Sequence, residues 1–167
     1  MPAIIPIPLP GLLIRGASYL FGSVLRKYYT RQKLSELIEV KVSSEPAGIT
    51  VNCSELPDAS AWIIITNLSP FHVTVYEFEA ELYLPERAVK FVKICNVDIG
   101  PSDNERLFVQ TDLTVKQIEY IKRHKNVETL WLKVKAMLSC RLSTFEINDR
   151  NINITQKNIE FMNCDDS

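Results

Sequence analysis

From residue 36 onward the chain alternates apolar and polar residues in short runs, a pattern typical of β-strands that bury one face. Residues 62–65 are apolar throughout, as in a central strand of a sandwich. Such runs occupy residues 36–43, 49–53, 62–66, 71–84, 88–95, 106–111 and 130–138, with further alternation at 142–147 and 152–161. Seven or eight short strands separated by turn signals predict a mainly β fold built as a two-sheet sandwich.

The longest run, residues 71–84, changes phase part-way along. Its apolar residues occupy odd positions up to Val75 and even positions from Phe78. Since a period of two cannot change phase without an extra residue, this predicts a β-bulge near Tyr76–Glu77. Three carboxylates on the other face are predicted to face water and to protect an edge strand, rather than to bind a hard cation. They are Glu77, Glu79 and Glu81.

One helix is predicted inside the strand-rich region. Thr114 is a suitable N-cap for the amphipathic segment 115–125, whose last turn is basic. Asn126 is a suitable C-terminal stop. The sequence therefore predicts a sandwich interrupted by one short helix, over residues 34–162, with 163–167 as a tail.

The N-terminal segment, residues 1–33, has a different character from the rest. Residues 3–25 are mostly apolar with a single charge, Arg15, and prolines 6 and 8 disfavour a helix at the start. We expect an amphipathic or membrane helix from about residue 10 to about residue 33. Its apolar stripe suits a helix lying in the membrane interface somewhat better than one crossing the bilayer.

Charge supports a contact between this segment and an anionic surface. Residues 1–33 carry five basic side chains and no acid, whereas the remaining chain carries 14 basic and 20 acidic side chains. Basic residues beside an anionic leaflet favour attachment. The residues predicted to contact membrane or a partner protein are Leu13, Leu20, Phe21, Val24, Arg26, Lys27, Tyr28, Tyr29, Arg31 and Lys33. Packing of this helix on a partner subunit, or on the chain's own body, are the alternatives.

The sequence offers no motif for catalysis or for cofactor binding. There is no phosphate-binding glycine loop, no nucleophile elbow and no metalloprotease motif. Four cysteines and two histidines are dispersed without metal-ligand spacing, so neither a metal nor a cofactor is expected. The acidic body argues against a nucleic-acid partner. Cys53 and Cys140 share the phase of apolar neighbours, which predicts reduced core thiols; a cross-sheet disulfide is the alternative for a luminal domain.

A second candidate contact lies in the run 130–138. Trp131 falls in the same phase as Lys133 and Lys135, opposite the apolar residues of that run. An outward tryptophan beside two lysines is a candidate surface contact. The alternative is that Trp131 is covered by the N-terminal helix or by the helix at 115–125.

Residues 61–84, AWIIITNLSPFHVTVYEFEAELYL, resemble the water-stress and hypersensitive-response (WHy) domain of the late embryogenesis abundant group. The resemblance rests on an apolar strand, a turn formed by Asn67, Pro70 and Phe71, and a long second strand, and it extends over residues 37–162. It implies an immunoglobulin- or fibronectin-III-like sandwich with no catalytic residues. Some members are tethered to membranes by an N-terminal apolar helix.

These patterns predict a non-enzymatic, membrane-attached binding or scaffold module, such as an accessory subunit of a larger membrane complex. Because the cations follow the apolar segment, the sandwich is expected to face the cytosol. The alternative is a soluble sandwich that binds a lipid or a small ligand, with the N-terminal segment as its lid.

Overall fold

A computed structural model of the chain describes residues 22–44, 47–84, 87–124 and 130–164. The described part begins in a helical segment, α1, at residues 22–28. The elements that follow are α2 (Arg31–Glu36), β1 (Ile38–Val42), β2 (Ile49–Asn52), β3 (Asp58–Asn67), β4 (Val73–Leu84), β5 (Arg87–Ile99), β6 (Asp103–Asp112), α3 (Val115–His124), β7 (Leu130–Cys140), β8 (Thr144–Ile154), a 3-10 turn (Gln156–Asn158) and β9 (Ile159–Met162).

The strands form two sheets, as the sequence predicted. In the first sheet, β3 pairs along its whole length with β6, and its other edge is shared by β1 and β2. β9 then pairs with β2 in parallel. The second sheet has the order β5-β4-β7-β8 and is antiparallel throughout. The turn between β5 and β6 is one of the connections that cross between the two sheets.

The inward faces of both sheets supply the core. Alternate residues of β3, β4 and β7 are buried, because successive side chains of a strand point to opposite faces. The aromatic side chains of Phe78, Phe91 and Phe145 are fully enclosed. The alternating runs of the sequence therefore form one continuous hydrophobic core between the sheets.

The predicted bulge in the long strand is confirmed. The register of β4 shifts between Val75 and Glu77 with both neighbours. Tyr76 is the extra residue opposite β7, whereas β5 places two residues, Cys95 and Asn96, opposite Tyr76. One part of that prediction was wrong: β4 is a central strand, paired on both sides, and its acidic row does not protect an edge. The row instead lies between strands that carry lysines.

The boundaries of several strands differ from those expected. Residues 142–147 do not continue the preceding strand, because the chain turns at residues 141–143 and starts β8. β8 extends to Ile154, and Ile159 belongs to the separate strand β9. The described residues therefore hold nine strands rather than seven or eight.

The expected single helix up to residue 33 is interrupted, so that prediction was wrong for the described residues. The chain leaves α1 after residue 28, and Thr30 adopts an extended conformation with ψ 162°. Its hydroxyl oxygen accepts a hydrogen bond from the Lys33 amide at 3.2 Å, which makes Thr30 the N-cap of α2. A capping threonine at this position starts a new helix in a new direction.

The short helix α2 is attached to the sandwich. Leu34 is completely buried in the core. The guanidinium of Arg150, on β8, donates hydrogen bonds to the backbone oxygens of Ser35, at 2.8 Å, and Ile38. Arg150 thus binds one carbonyl group of the last turn of α2, at Ser35, and the carbonyl group of the first residue of β1, Ile38. α2 is fixed to the second sheet by an apolar and a polar contact.

The helix predicted after β6 is present as α3. The Thr114 hydroxyl oxygen accepts from the Gln117 amide at 3.3 Å, and the Gln117 side chain accepts in return from the Thr114 amide at 2.9 Å. This reciprocal pair is a capping box. The predicted stop, Asn126, lies outside the described residues. The ring of His124 stacks on the ring of Tyr120, and the Nδ1 of His124 lies 2.9 Å from the backbone oxygen of Tyr120.

A disulfide joins Cys53 to Cys164, with a Cα–Cα distance of 5.0 Å. The prediction that Cys53 is a reduced thiol was therefore wrong. The parallel pairing of β2 with β9 brings the two residues together, because each one follows the end of its strand. The bridge lies within the first sheet and does not cross to the second. Cys140 and Cys95 are free thiols, half-buried.

A buried asparagine holds the two sheets together at one end. Asn67 is 0% exposed, and the two N–H groups of its Nδ2 share the carbonyl oxygens of Phe71 (2.7 Å), Ile99 (3.1 Å) and Gly100 (3.0 Å). Its Oδ1 accepts from the amide and the hydroxyl of Ser69, at 3.0 and 2.7 Å. One side chain thus supplies hydrogen-bond partners to backbone groups of the turn after β3 and of the turn between β5 and β6.

We predict that Asn67→Ala lowers the free energy of unfolding by about 3–5 kcal/mol, because it leaves several buried backbone groups without partners. Chemical denaturation measures the change. Asn104→Ala, at an exposed position of β6, is the matched control and is expected within about 0.5 kcal/mol of the parent. Equal effects of the two substitutions would contradict a central role for the buried amide.

We predict that alkylation of the unfolded, non-reduced protein labels two cysteines, Cys95 and Cys140, and that alkylation after reduction labels four. Because a bridge spanning 111 residues restricts the unfolded chain, its reduction is expected to lower the free energy of unfolding by about 2–5 kcal/mol. Cys164→Ser is expected to have the same effect in the absence of reductant. Mass spectrometry that finds four labelled thiols before reduction would exclude the bridge.

Candidate functional site

The residues predicted to contact a membrane or a partner fall into two groups. Leu13, Leu20 and Phe21 lie outside the described residues. The other seven, Val24, Arg26, Lys27, Tyr28, Tyr29, Arg31 and Lys33, lie in α1, α2 and the bend between them. The structure brings these seven to one end of the sandwich, beside the turn that follows β3.

Tyr29 attaches this segment to the body. Its ring meets the buried ring of Phe71 edge-on, with 5.0 Å between centroids. On the same Phe71 ring lies the guanidinium of Arg141, from the turn between β7 and β8, 5.0 Å from the centroid. Tyr29 is half-buried, so it packs on the chain's own body rather than presenting its ring outward. Phe71 is the point at which the segment and the hairpin meet.

Five cations gather around this contact, and we call the region that they form the basic end. They are Arg26, Lys27, Arg31, Lys33 and Arg141. Lys33 places its Nζ 3.6 Å from the centroid of the Tyr28 ring, a cation–π contact. Within the described ranges none of the five forms a salt bridge, in contrast to the lysines of the second sheet. The basic end is therefore a concentration of uncompensated positive charge.

The basic end contains a groove of about 190 Å³. It lies between the α1–α2 bend and the β7–β8 hairpin, and its walls are formed by Arg26, Tyr29, Thr30, Arg31, Leu142 and Ser143. The hydroxyl oxygen of Ser143 is buried and has no hydrogen-bond partner among the described residues. A second groove, of about 340 Å³, continues along α2 and β8 past Arg31.

Two large apolar side chains of α1 are exposed to solvent. Val24 is 63% exposed and Tyr28 is 61% exposed, whereas Leu25 is half-buried. Exposed apolar groups beside cations are the combination that amphipathic interfacial segments present. Among the described helices, none has the length and apolar character needed to cross a bilayer.

Trp131, Lys133 and Lys135 lie on the outer face of the second sheet, as their phase predicted. In register they face Tyr83, Glu81 and Glu79 of β4, respectively. Trp131 stacks on Tyr83, with 5.6 Å between ring centroids and 12° between ring planes. Trp131 is thus covered by the ring of Tyr83 on the neighbouring strand. This arrangement was not predicted from the sequence.

Both lysines are paired within the sheet. Lys133 Nζ lies 2.9 Å and Lys135 Nζ 3.7 Å from the Oδ1 of Asp149, on β8. Asp149 has a positive φ of 51°, at the point where β8 places two residues opposite Lys135. This is a second bulge, and it re-aims the carboxylate toward both lysines. The predicted contact lysines are therefore engaged with the chain's own carboxylate.

Charge pairing on this face sets the direction of two pKa shifts. The hydrogen bond from Lys133 to Asp149 lowers the pKa of that carboxyl below its usual value. The hydroxyl of Tyr83 donates to Glu81 at 2.7 Å, which raises the pKa of the tyrosine.

An open groove of about 250 Å³ crosses the outer face of the second sheet beside Lys135 and Met137. Among the described side chains, no three His, Cys, Asp or Glu residues are placed to share a metal ion.

Sequence reasoning missed Arg141 and Ser143. Both lie in the turn between β7 and β8, and no pattern in the sequence places that turn beside residues 26–31. The only local signal was the slip of hydrophobic phase after Cys140, which marks a turn but not its neighbours. The basic end is therefore assembled from segments that are more than 100 residues apart.

Comparison with known proteins gives a likeness of fold only. No protein-family model matches the chain, and no curated protein matches it. A structural genomics target solved by X-ray diffraction superposes with a TM-score of 0.48 and 11% identity, covering 73% of this chain and 89% of its own. For a candidate ApaA protein from Bordetella pertussis the TM-score is 0.46 with 10% identity, covering 71% and 92%. For the solution structure of a candidate late embryogenesis abundant protein it is 0.40 with 9% identity, covering 93% and 97%.

We predict that Lys133→Gln raises the pKa of Asp149 part-way toward its ordinary value, because Lys135 remains close to the carboxylate. NMR titration of the Asp149 carboxyl carbon measures the shift. A lowered carboxyl pKa stabilises the fold above the pKa of the unfolded chain, and this contribution is lost as pH falls through the folded pKa. The substitution is therefore expected to lower stability at neutral pH and to have no effect once Asp149 is protonated.

The matched control is Lys41→Gln, which removes a lysine that pairs with Glu39 on the other sheet. It is expected to leave the pKa of Asp149 unchanged. A shift of equal size in both variants would indicate a general charge effect rather than the specific pair.

Proposed function

We propose that this chain is a non-enzymatic, membrane-attached binding or scaffold module, one form of which is an accessory subunit of a larger membrane complex. The N-terminal segment attaches it, and the sandwich presents the surface that binds partners. The observation that carries the proposal is the basic end. There, five cations that form no salt bridge with any described residue surround the point at which the N-terminal segment joins the sandwich.

The energetics favour an anionic membrane as the surface that the basic end meets. Each lysine or arginine near an anionic leaflet contributes about 1 kcal/mol. Exposed Val24 and Tyr28 add apolar and aromatic contact from the same helix. Because these exposed side chains and the cations Arg26 and Lys27 lie on the same helix, α1, their contributions to binding add together.

We further propose that the sandwich is of the immunoglobulin- or fibronectin-III-like, WHy type. Support comes from the turn formed by Asn67, Pro70 and Phe71, on which the sequence resemblance rests. In that turn the Asn67 amide bonds the Phe71 oxygen, and Phe71 in turn packs on Tyr29. Asn67 and Phe71, on which the resemblance rests, therefore hold the turn and support the contact with Tyr29.

The lining of the grooves bears on the alternative function, a soluble sandwich that carries a lipid or a small ligand. The groove of the basic end is open and carries Arg26 and Arg31 on its walls, and its continuation along α2 is lined by Arg31 together with Glu146. Charged walls suit phosphate or carboxylate groups better than the acyl chains of a carried lipid. The membrane-attached module is therefore the function that we propose.

Two features of the chain favour opposite sides of the membrane for the sandwich. Cations that follow an apolar segment favour a cytosolic body, and this is the orientation that we propose. The bridge between Cys53 and Cys164 favours an oxidising compartment. Alkylation in intact cells separates the two: a bridge already formed in vivo would count against the cytosolic side.

We predict that replacing Arg26, Lys27 and Arg31 by glutamine weakens binding of the full chain to phosphatidylserine-containing vesicles by about 3 kcal/mol, roughly a hundredfold at low salt. Cosedimentation measures the partition coefficient, and binding is expected to weaken as salt is added, because exposed charges are screened.

The matched control removes the same charge from the other end of the sandwich, with Lys116, Lys122 and Arg123 of α3 replaced by glutamine. The Leu113 amide bonds the Pro57 oxygen, which places α3 at the start of β3, whereas the basic end adjoins its last residue, Asn67. This variant is expected to bind vesicles as the parent does. Equal losses in both variants, or a parent chain that stays in the soluble fraction, would refute the proposal.

A further inference from the structure

We infer that the groove between the α1–α2 bend and the β7–β8 hairpin binds the phosphate monoester headgroup of a membrane lipid. The inference rests on the proposed membrane attachment and adds a ligand class to it. A diffuse basic surface attracts any anionic lipid, whereas a groove with directed donors selects one kind of headgroup. The structure provides both features at the basic end.

Two arginines supply the charge of the site. Arg26 and Arg31 lie on the walls of the same groove, and neither forms a salt bridge in the described part of the chain. A guanidinium presents its N–H groups in a planar fork that matches phosphate oxygens. Two such groups facing one opening of about 190 Å³ favour a compact anion with several oxygens.

The independent observation is the hydroxyl of Ser143. Its oxygen is buried, and within the described residues it has no hydrogen-bond partner. Buried polar groups in native proteins are nearly always paired, and an exception calls for an explanation such as a missing ligand. Ser143 lies on the wall of the groove, so rotation about its side-chain bond lets the O–H donate to an anion bound there.

Thr30 supplies a further donor. Its hydroxyl oxygen accepts from the Lys33 amide at 3.2 Å as the cap of α2. This leaves the O–H free to donate in the opposite direction, toward the groove that Thr30 lines. The site therefore combines two guanidinium groups with two hydroxyl donors, and no carboxylate lines it in the part of the chain that the structure describes.

This set of donors suits a phosphate monoester better than a diester. A monoester carries a charge of about −1.5 to −2 at neutral pH and three strong acceptor oxygens, so it engages more donors than the phosphodiester of phosphatidylserine does. Exposed Val24 and Tyr28 extend from the same helix that carries Arg26. A headgroup bound in the groove thus lies close to the part of α1 whose apolar side chains, Val24 and Tyr28, are proposed to contact the membrane.

The test compares vesicles of matched surface charge that contain either phosphatidic acid or phosphatidylserine, with the full chain as the analyte. The parent is expected to prefer phosphatidic acid. Ser143→Ala removes a donor without changing charge, so it is expected to reduce that preference by roughly two- to tenfold, the range that one hydrogen bond supplies. Its binding to phosphatidylserine is expected to be unchanged. Ser44→Ala, at an exposed loop position, is the control and is expected to keep the preference.

The outcomes separate the inference from the function that it rests on. Equal binding of the parent to both kinds of vesicle overturns the headgroup site and leaves membrane attachment standing. Absence of binding to either kind overturns both. A third arm uses inorganic phosphate alone. If millimolar phosphate removes the preference for phosphatidic acid and binds as tightly as the vesicle lipid does, the ligand is free phosphate and the lipid assignment fails. Thermal unfolding confirms that Ser143→Ala is folded, since the loss of an unpaired buried hydroxyl is expected to leave the melting temperature unchanged or to raise it.

Discussion

The sandwich depends on one buried amide. Two sheets of twisted strands have apolar inner faces that pack in many ways, and the hydrophobic effect alone does not fix their relative position. Asn67 does so, because its side chain simultaneously bonds the turn leading into the second sheet and the turn returning from it. Its hydrogen bonds are directional and fully enclosed, so any other arrangement leaves buried carbonyl groups unpaired.

That constraint also organises the basic end. Because the turn after β3 is fixed by Asn67, Phe71 has a defined position on which Tyr29 and Arg141 pack. Arg150 fixes α2 from the other side, through the oxygens of Ser35 and Ile38. The N-terminal segment is thereby held at the end of the sandwich by contacts from both sheets, and its cations gather in one place. The proposed functions rest on this gathering rather than on any single charge.

Local patterns in the sequence predicted the parts of the fold that depend on neighbouring residues. The bulge at Tyr76 follows from a change of phase within one strand, and the N-cap of α3 from the position of Thr114 before an amphipathic segment. Both were confirmed. The lysine row and the acidic row were placed on the correct face for the same reason, since alternation alone decides which side chains point outward.

The missed features all depend on which strands become neighbours. The bridge between Cys53 and Cys164 requires the parallel pairing of β2 with β9, and the partner of Lys133 and Lys135 requires a bulge at Asp149 on an adjacent strand. The groove around Ser143 requires a hairpin to lie beside a segment that precedes it by more than 100 residues. The alternation of apolar and polar residues shows which side chains of a strand are buried. It carries no information on which strands pair, because any strand with one apolar face shows the same alternation.

The parallel pairing of β2 with β9 has a consequence for how the chain folds during synthesis. An early strand of the first sheet waits for a partner that leaves the ribosome about 110 residues later, and Cys164 follows that partner immediately. In the second sheet the longest wait is shorter, because β4 pairs with β7 about 50 to 70 residues later. In a nascent chain the open edge of β2 therefore waits longest for its partner, and that edge is the place where chaperones or like strands have their longest opportunity to bind.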